Sequence, residues 1–115
     1  MNKYRDKSDF EINKAVAEKS GRQFSLNGNT VFMRADEIPG IVTMSYIFNP
    51  CNDPADAMPI VIENRISIES RFNGHYDEWY ASLQTNKILI DATGTNYYRV
   101  AMEVFLMMKD AENEK

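Results

Sequence analysis

One cysteine and one histidine are all the thiol and imidazole the chain contains, and no phosphate-binding or nucleophile motif accompanies them. A lone cysteine excludes an internal disulfide, and Cys51 fits a reducing cytoplasm. Zinc sites are usually built from close pairs of ligands, and the sequence has none, so no metal and no cofactor is expected. No apolar run approaches the length needed to span a bilayer, so no membrane association is expected. Met1 to Lys7 carries charges with no apolar stretch behind them, which leads us to expect no secretory signal. Basic runs are absent too. With a formal charge of −4 and a pI near 5.0, the long-range field repels phosphate, which argues against nucleic acid unless Arg side chains form a local patch. Mimicry of DNA needs dense carboxylates, and the 17 acids here are offset by 13 bases.

What is present describes an ordinary folded domain. A chain of 115 residues can bury roughly 65% of its unfolded surface, enough for one core. Hydrophobic residues make up 43% and charged residues 26%, close to globular averages, so the chain is expected to form a single domain over 1–115. Ser8-Asp9-Phe10-Glu11 has capping-box spacing and starts a helix over 9–20, closed by Gly21. Asn27-Gly28 fits a two-residue turn pairing Leu26 with Asn29 and Phe24 with Val31, so that Phe24, Leu26, Val31 and Met33 share a face. Ile41 to Phe48 reads as a strand bounded by Pro39-Gly40 and Asn49-Pro50. A second helix starts at a cap on Asn52 or Asp53, with Pro54 in its first position, and ends near Asn64 or Arg65. Pro59 should loosen its first turns.

The segments 66–72 and 76–83 flank Asn73-Gly74, which as a two-residue turn sets Ile68 opposite Trp79 and Ile66 opposite Ala81. That register leaves Glu69 opposite Glu78 on the polar side, with Arg71 between them. Lys87 to Asp91 adds a third strand, Thr93-Gly94-Thr95 breaks the chain, and Asn96 caps a helix from Tyr97 to about Asp110. This helix is apolar almost all round, so it lies at the centre of the core or offers a second face to a partner. Residues 1–7 and 111–115 read as frayed tails. The order of elements gives an α+β fold, three helices on a small, mainly antiparallel sheet built from hairpins.

Three segments carry a family resemblance: Ser8-Asp9-Phe10-Glu11-Ile12-Asn13-Lys14-Ala15-Val16-Ala17-Glu18, the run from Cys51 to Ile68, and Asn96 with Arg99, Ala101-Met102 and Val104-Phe105-Leu106-Met107-Met108. In this order they resemble the NinX-like proteins of lambdoid phages and enterobacterial prophages. The chain departs from that pattern in having Met58 where the family tends to have Trp, and Glu103 where it has an apolar residue. The resemblance implies a small phage accessory protein encoded near replication and late-control genes, and it carries over no catalytic residue.

Each chemically suggestive residue also has a plain structural reading. Cys51 precedes a helix N-terminus, where a thiol can be activated, but a small loop residue packed beneath Phe48 is the simpler and preferred reading. His75 lies beside a turn, Asp53 and Asp56 suit capping, and Asp77 and Glu78 point to opposite sides of a strand. Arg65, between two apolar segments, calls for a carboxylate such as Glu63 of a neighbouring chain or Asp9. Aromatic rings interleaved with Arg71 and Arg99 suit a protein interface or stacked bases, and the acidic charge favours protein. The expectation is a non-catalytic module that binds a host or phage protein through Arg71, Tyr76, Tyr80 and Arg99, with self-association through the helix near 97–110. The rivals are a ligand-binding or enzymatic pocket near Cys51, Arg65 and His75, and a nucleic-acid patch including Arg71 and Arg99.

Overall fold

The helix expected after Ser8 forms because its cap is complete. In the computed structural model, which describes residues 2–35 and 44–113, the Ser8 hydroxyl accepts from the Glu11 amide at 3.1 Å while the Glu11 carboxylate accepts from the Ser8 amide at 3.3 Å. Helix α1 spans Asp9–Ser20 and ends on Gly21 at φ +76. Strands β1 (Phe24–Asn27), β2 (Thr30–Arg34) and β3 (Ser45–Ile47) follow, then α2 (Pro54–Asn64), β4 (Ser67–Phe72), β5 (Asp77–Gln84), β6 (Leu89–Gly94) and α3 (Tyr97–Asn113). The fold is α+β with antiparallel pairing throughout, but the strands form two three-stranded sheets, β1-β2-β3 and β4-β5-β6, where one sheet was expected. Of the strand expected over 41–48, residues 41–43 lie outside the described residues.

Both hairpins differ from the expected register by two residues. Between β1 and β2 the turn residues are Gly28 and Asn29, so Leu26 faces Val31 and Phe24 faces Met33. Only Gly28 takes a positive φ, +60, which makes this the turn with glycine first and spares Asn29 a left-handed conformation. Between β4 and β5 the loop is 73–76, closed by Asn73 N–H donating to the Tyr76 carbonyl at 3.2 Å. The Asn73 side-chain oxygen accepts from the amides of His75 and Tyr76, and this local bonding stabilises a longer loop than Asn-Gly alone would need. Ile68 therefore faces Ala81, and Ser70 faces Trp79. A shift of two preserves the side to which each side chain points, so the expected faces survive.

Helix α3 holds the domain together. Seven successive residues, Val100 to Leu106, are buried, since α1 and α2 pack on one side and the β4-β5-β6 sheet on the other. The apolar circumference of this helix thus finds its cover within the chain. Gly94 belongs to β6 rather than to a chain break. A Cβ there would stand 3.0 Å from Val100 Cγ1, so glycine serves the close approach of sheet to helix. Helix α3 runs to Asn113, beyond the expected end at Asp110, and residues 2–7, read from the sequence as a tail, fold back onto it. Tyr4 Oη donates to Asp110 at 2.5 Å, and Asn2 Nδ2 donates to Glu103 at 2.7 Å.

Candidate interaction face

The side of the β4-β5-β6 sheet turned away from α3 carries polar and aromatic side chains, and among the described residues no second layer lies over them. Register places Arg71 opposite Glu78 and Glu69 opposite Tyr80, so the expected Glu69–Glu78 opposition does not arise. The Arg71 guanidinium lies 3.6 Å from the centre of the Tyr80 ring, and its Nη2 stands 3.6 Å from Glu69 Oε1. Tyr80 Oη in turn donates to Asp91 Oδ2 at 3.0 Å, linking all three strands. Burial, the hydrogen bond to Asp91 and the Asp91 charge together push the Tyr80 phenol above its ordinary pKa, against the opposing Arg71 charge. Tyr76 sits in the loop at one end of this face, 54% exposed.

Arg71 and Tyr80 also line a cleft of about 620 Å³ that follows β6 from Ile88 to Thr93. Its far wall is the N-terminal segment with Asn2, Lys3 and Arg5, and its end is Met107 and Asp110 of α3. A smaller cleft of about 350 Å³ lies among α1, α2 and β3. Cys51, Arg65 and His75 line neither; Cys51 is buried, whereas Arg65 and His75 are exposed.

Arg99 does not share the Arg71 face. It stands in the first turn of α3, with its Nη1 donating to Asp9 Oδ1 at 2.6 Å and its Nε to Glu103 Oε2 at 2.8 Å. Its Nη2 donates to the carbonyls of Tyr4, Arg5 and Lys7. Desolvation alone would lower its pKa, but the bonds to Glu103 and Asp9 and the Glu103 charge raise it. Burial would raise the Asp9 pKa, and the bonds from Arg99 and Asn52 with the Arg99 charge outweigh it, leaving Asp9 below its ordinary value. Asp9, one of the two carboxylates suggested for Arg65, is thus bonded to Arg99. Arg65 is exposed and closes α2 in the left-handed conformation at φ 57, its amide donating to the Ile62 carbonyl.

Asparagines extend this network, which sequence reasoning missed. Asn52 donates to Asp9, Asn96 to Asn52, and Asn13 to Asn49, while the Cys51 amide donates to the Asn13 side chain. The signal was a polar Asn13 on the apolar side of α1 and the repeated Asn of the 49–52 loop, but pairing across 36 positions is not readable from one chain. Cys51 is fully buried, and burial, then the Asp9 charge, partly countered by Arg99, push its thiol up to about 12, the reverse of nucleophile activation.

His75 is exposed in the 73–76 loop. Asp53 caps α2, accepting from the Ala55 amide at 2.9 Å. Asp56 accepts from the Asn49 amide; burial raises its pKa, that hydrogen bond opposes the rise, and the Asp53 charge adds to it. Among the described residues no group of three or more His, Cys, Asp or Glu is placed to hold a metal ion, and no helix is long and apolar enough to cross a membrane.

No curated protein matches the chain. Residues 3–109, from the N-terminal segment held by Arg99 to the last turns of α3, match the family described as Bacteriophage P22, NinX, and the chain belongs to that family.

Proposed function

We propose that this phage accessory protein acts without covalent chemistry, in the cytoplasm of the bacterial host, by binding a host or phage protein through the outer face of the β4-β5-β6 sheet. The observation that carries this reading is the Arg71–Tyr80 stack, 3.6 Å from guanidinium to ring centre, standing on a sheet face that no described element covers, beside an open cleft. Arginine and tyrosine held in fixed conformations lose little freedom on binding, and both residue types are enriched where interfaces concentrate their energy. Arg99 drops out of the proposed face because its donors are engaged inside the chain. That removal also weakens the nucleic-acid reading, since Arg71 is left among Glu69, Glu78 and Asp91.

The test is capture of a tagged copy from infected cells, with and without nuclease, against a variant carrying Arg71→Ala, Tyr76→Ala and Tyr80→Ala. A stoichiometric, nuclease-resistant protein that the triple variant loses is the expected result. Equal capture by both forms would refute the face. A salt-sensitive gel shift would instead favour nucleic acid.

A further inference from the structure

Asparagine precedes glycine twice in the chain, at Asn27-Gly28 and at Asn73-Gly74, each time at the tip of a hairpin. This pair is the one most open to attack of the main chain on a side chain, because glycine has no Cβ to shield its own amide nitrogen. Much is the same at the two sites. All four residues are exposed, both glycines hold a positive φ, +60 at Gly28 and +99 at Gly74, and a Cβ on either would meet nothing within 4 Å. An apolar residue precedes each asparagine, Leu26 in one case and Phe72 in the other. The carboxamides differ. Asn73 Oδ1 accepts from the amides of His75 at 2.9 Å and Tyr76 at 3.1 Å, while its Nδ2 donates to Glu78 Oε1 at 3.2 Å. The Asn27 carboxamide makes no hydrogen bond among the described residues.

We infer that Asn27 is a site of spontaneous covalent modification, the asparagine this fold leaves open to deamidation, and that Asn73 is kept as the amide. The Gly28 nitrogen gives up its proton and bonds to Asn27 Cγ, the bond from Cγ to Nδ2 breaks, and ammonia leaves with that proton. The cyclic imide that remains is opened by one water. Cleavage between Cγ and the Gly28 nitrogen leaves aspartate; cleavage between the main-chain carbonyl carbon of residue 27 and that nitrogen leaves isoaspartate, whose main chain runs through the side-chain carbons. Either way an amide and a water become a carboxylate and ammonia. Ring closure turns the side-chain and main-chain torsions of the asparagine together. At Asn73 that motion must release three side-chain hydrogen bonds, and at Asn27 it releases none. The fold also tolerates the product. Asn27 ends edge strand β1, where Ser25, Leu26 and Asn27 are all exposed, so the new carboxylate stays in water. The longer main chain of isoaspartate disturbs only the last pair of that hairpin, Asn27 with Thr30.

The full chain is aged at mildly alkaline pH, native and unfolded in guanidinium chloride, and digested with trypsin at intervals. The two sites fall in different fragments, 23–34 and 72–87, so mass spectrometry follows each separately. In the unfolded chain both asparagines are expected to convert at similar rates. In the native protein Asn27 converts first, and folding slows Asn73 by roughly a hundredfold more than it slows Asn27, the weight of three net hydrogen bonds. Asn27→Gln at this exposed position should leave the dichroism spectrum unchanged and stop conversion in fragment 23–34. Equal slowing of the two sites by folding overturns the inference, as does a native Asn27 that stays intact while the unfolded one converts. Faster native conversion of Asn73 overturns it as well and shows that the His75 and Tyr76 amides activate the carboxamide rather than hold it. Conversion that persists in the Asn27→Gln variant places the reaction at Asn29 and overturns it too.

Discussion

Arg99 answers groups from three separate parts of the chain: the carbonyls of Tyr4, Arg5 and Lys7, the carboxylate of Asp9, and that of Glu103. Its side chain is 16% exposed and that of Glu103 only 5%. Removing the guanidinium strands a buried carboxylate, so Arg99→Met should lower unfolding stability by about 3–5 kcal/mol in urea. Replacing both partners, Arg99→Met with Glu103→Leu, should recover most of the loss, since the stranded charge goes too; a double variant no more stable than the single one would show that the carbonyls of Tyr4, Arg5 and Lys7 matter more.

The same guanidinium sets a pH dependence. Asp9 titrates below its ordinary value in the folded chain, so the unfolded chain binds more protons in the interval between the two pKa values. Its contribution is complete above the unfolded value, about 3.9, and fades as pH falls through the folded one. Arg99→Met should flatten that acid limb. Cys51 runs the other way. With the folded thiol raised to about 12, its contribution is present below the unfolded value and is lost as pH rises toward the folded one. Iodoacetamide at mildly alkaline pH should alkylate the native thiol far more slowly than the urea-unfolded one, and equal rates would contradict its burial.

At the scale of elements, what the sequence disclosed was whatever depends on neighbours in the chain. Caps at Ser8, Asp53 and Asn96, the bounds of α1 and α2, and the sides of the strands follow from local bonding and periodicity. Registers were missed because Asn-Gly fits two adjacent positions of a tight turn, and because the Asn73 side chain builds a longer loop than the dipeptide implies. The split into two sheets and the end of β6 depend on which residues α3 meets, as Gly94 against Val100 illustrates. Of the four face residues, Arg71, Tyr76 and Tyr80 could be grouped from strand alternation. Arg99 could not be assigned away from them without knowing that Asp9 lies beside it.

Helix α2 offers the test at this scale. Pro59 stands inside the helix and has no N–H for the Ala55 carbonyl. Pro59→Ala restores that donor at an exposed site and should stabilise the protein by about 1–3 kcal/mol, part of the intrinsic difference being offset by the freer unfolded chain. A loss of stability would mean that Pro59 contributes packing at the smaller cleft, whose wall it helps form.

The whole molecule turns on α3 being shared. One side of it covers the β4-β5-β6 sheet, which contains Trp79, and the other covers α1, against whose Asn13 the Cys51 loop is bonded. Trp79 also meets Tyr97 at the start of α3 edge to face, with ring centres 4.9 Å apart, so its fluorescence reports the joint between sheet and helix. Cys51 reports the opposite side, 0% exposed beneath the same helix. Because neither half retains a covered apolar face once α3 leaves, both should be lost together. In a urea titration, Trp79 emission, far-ultraviolet dichroism and the extent of Cys51 labelling should therefore share one midpoint and one slope. An earlier midpoint for Cys51 labelling would mean that α1 and the 49–52 loop open while the sheet remains on α3, and Arg99, which pins Asp9 to that helix, would then be the first contact to examine.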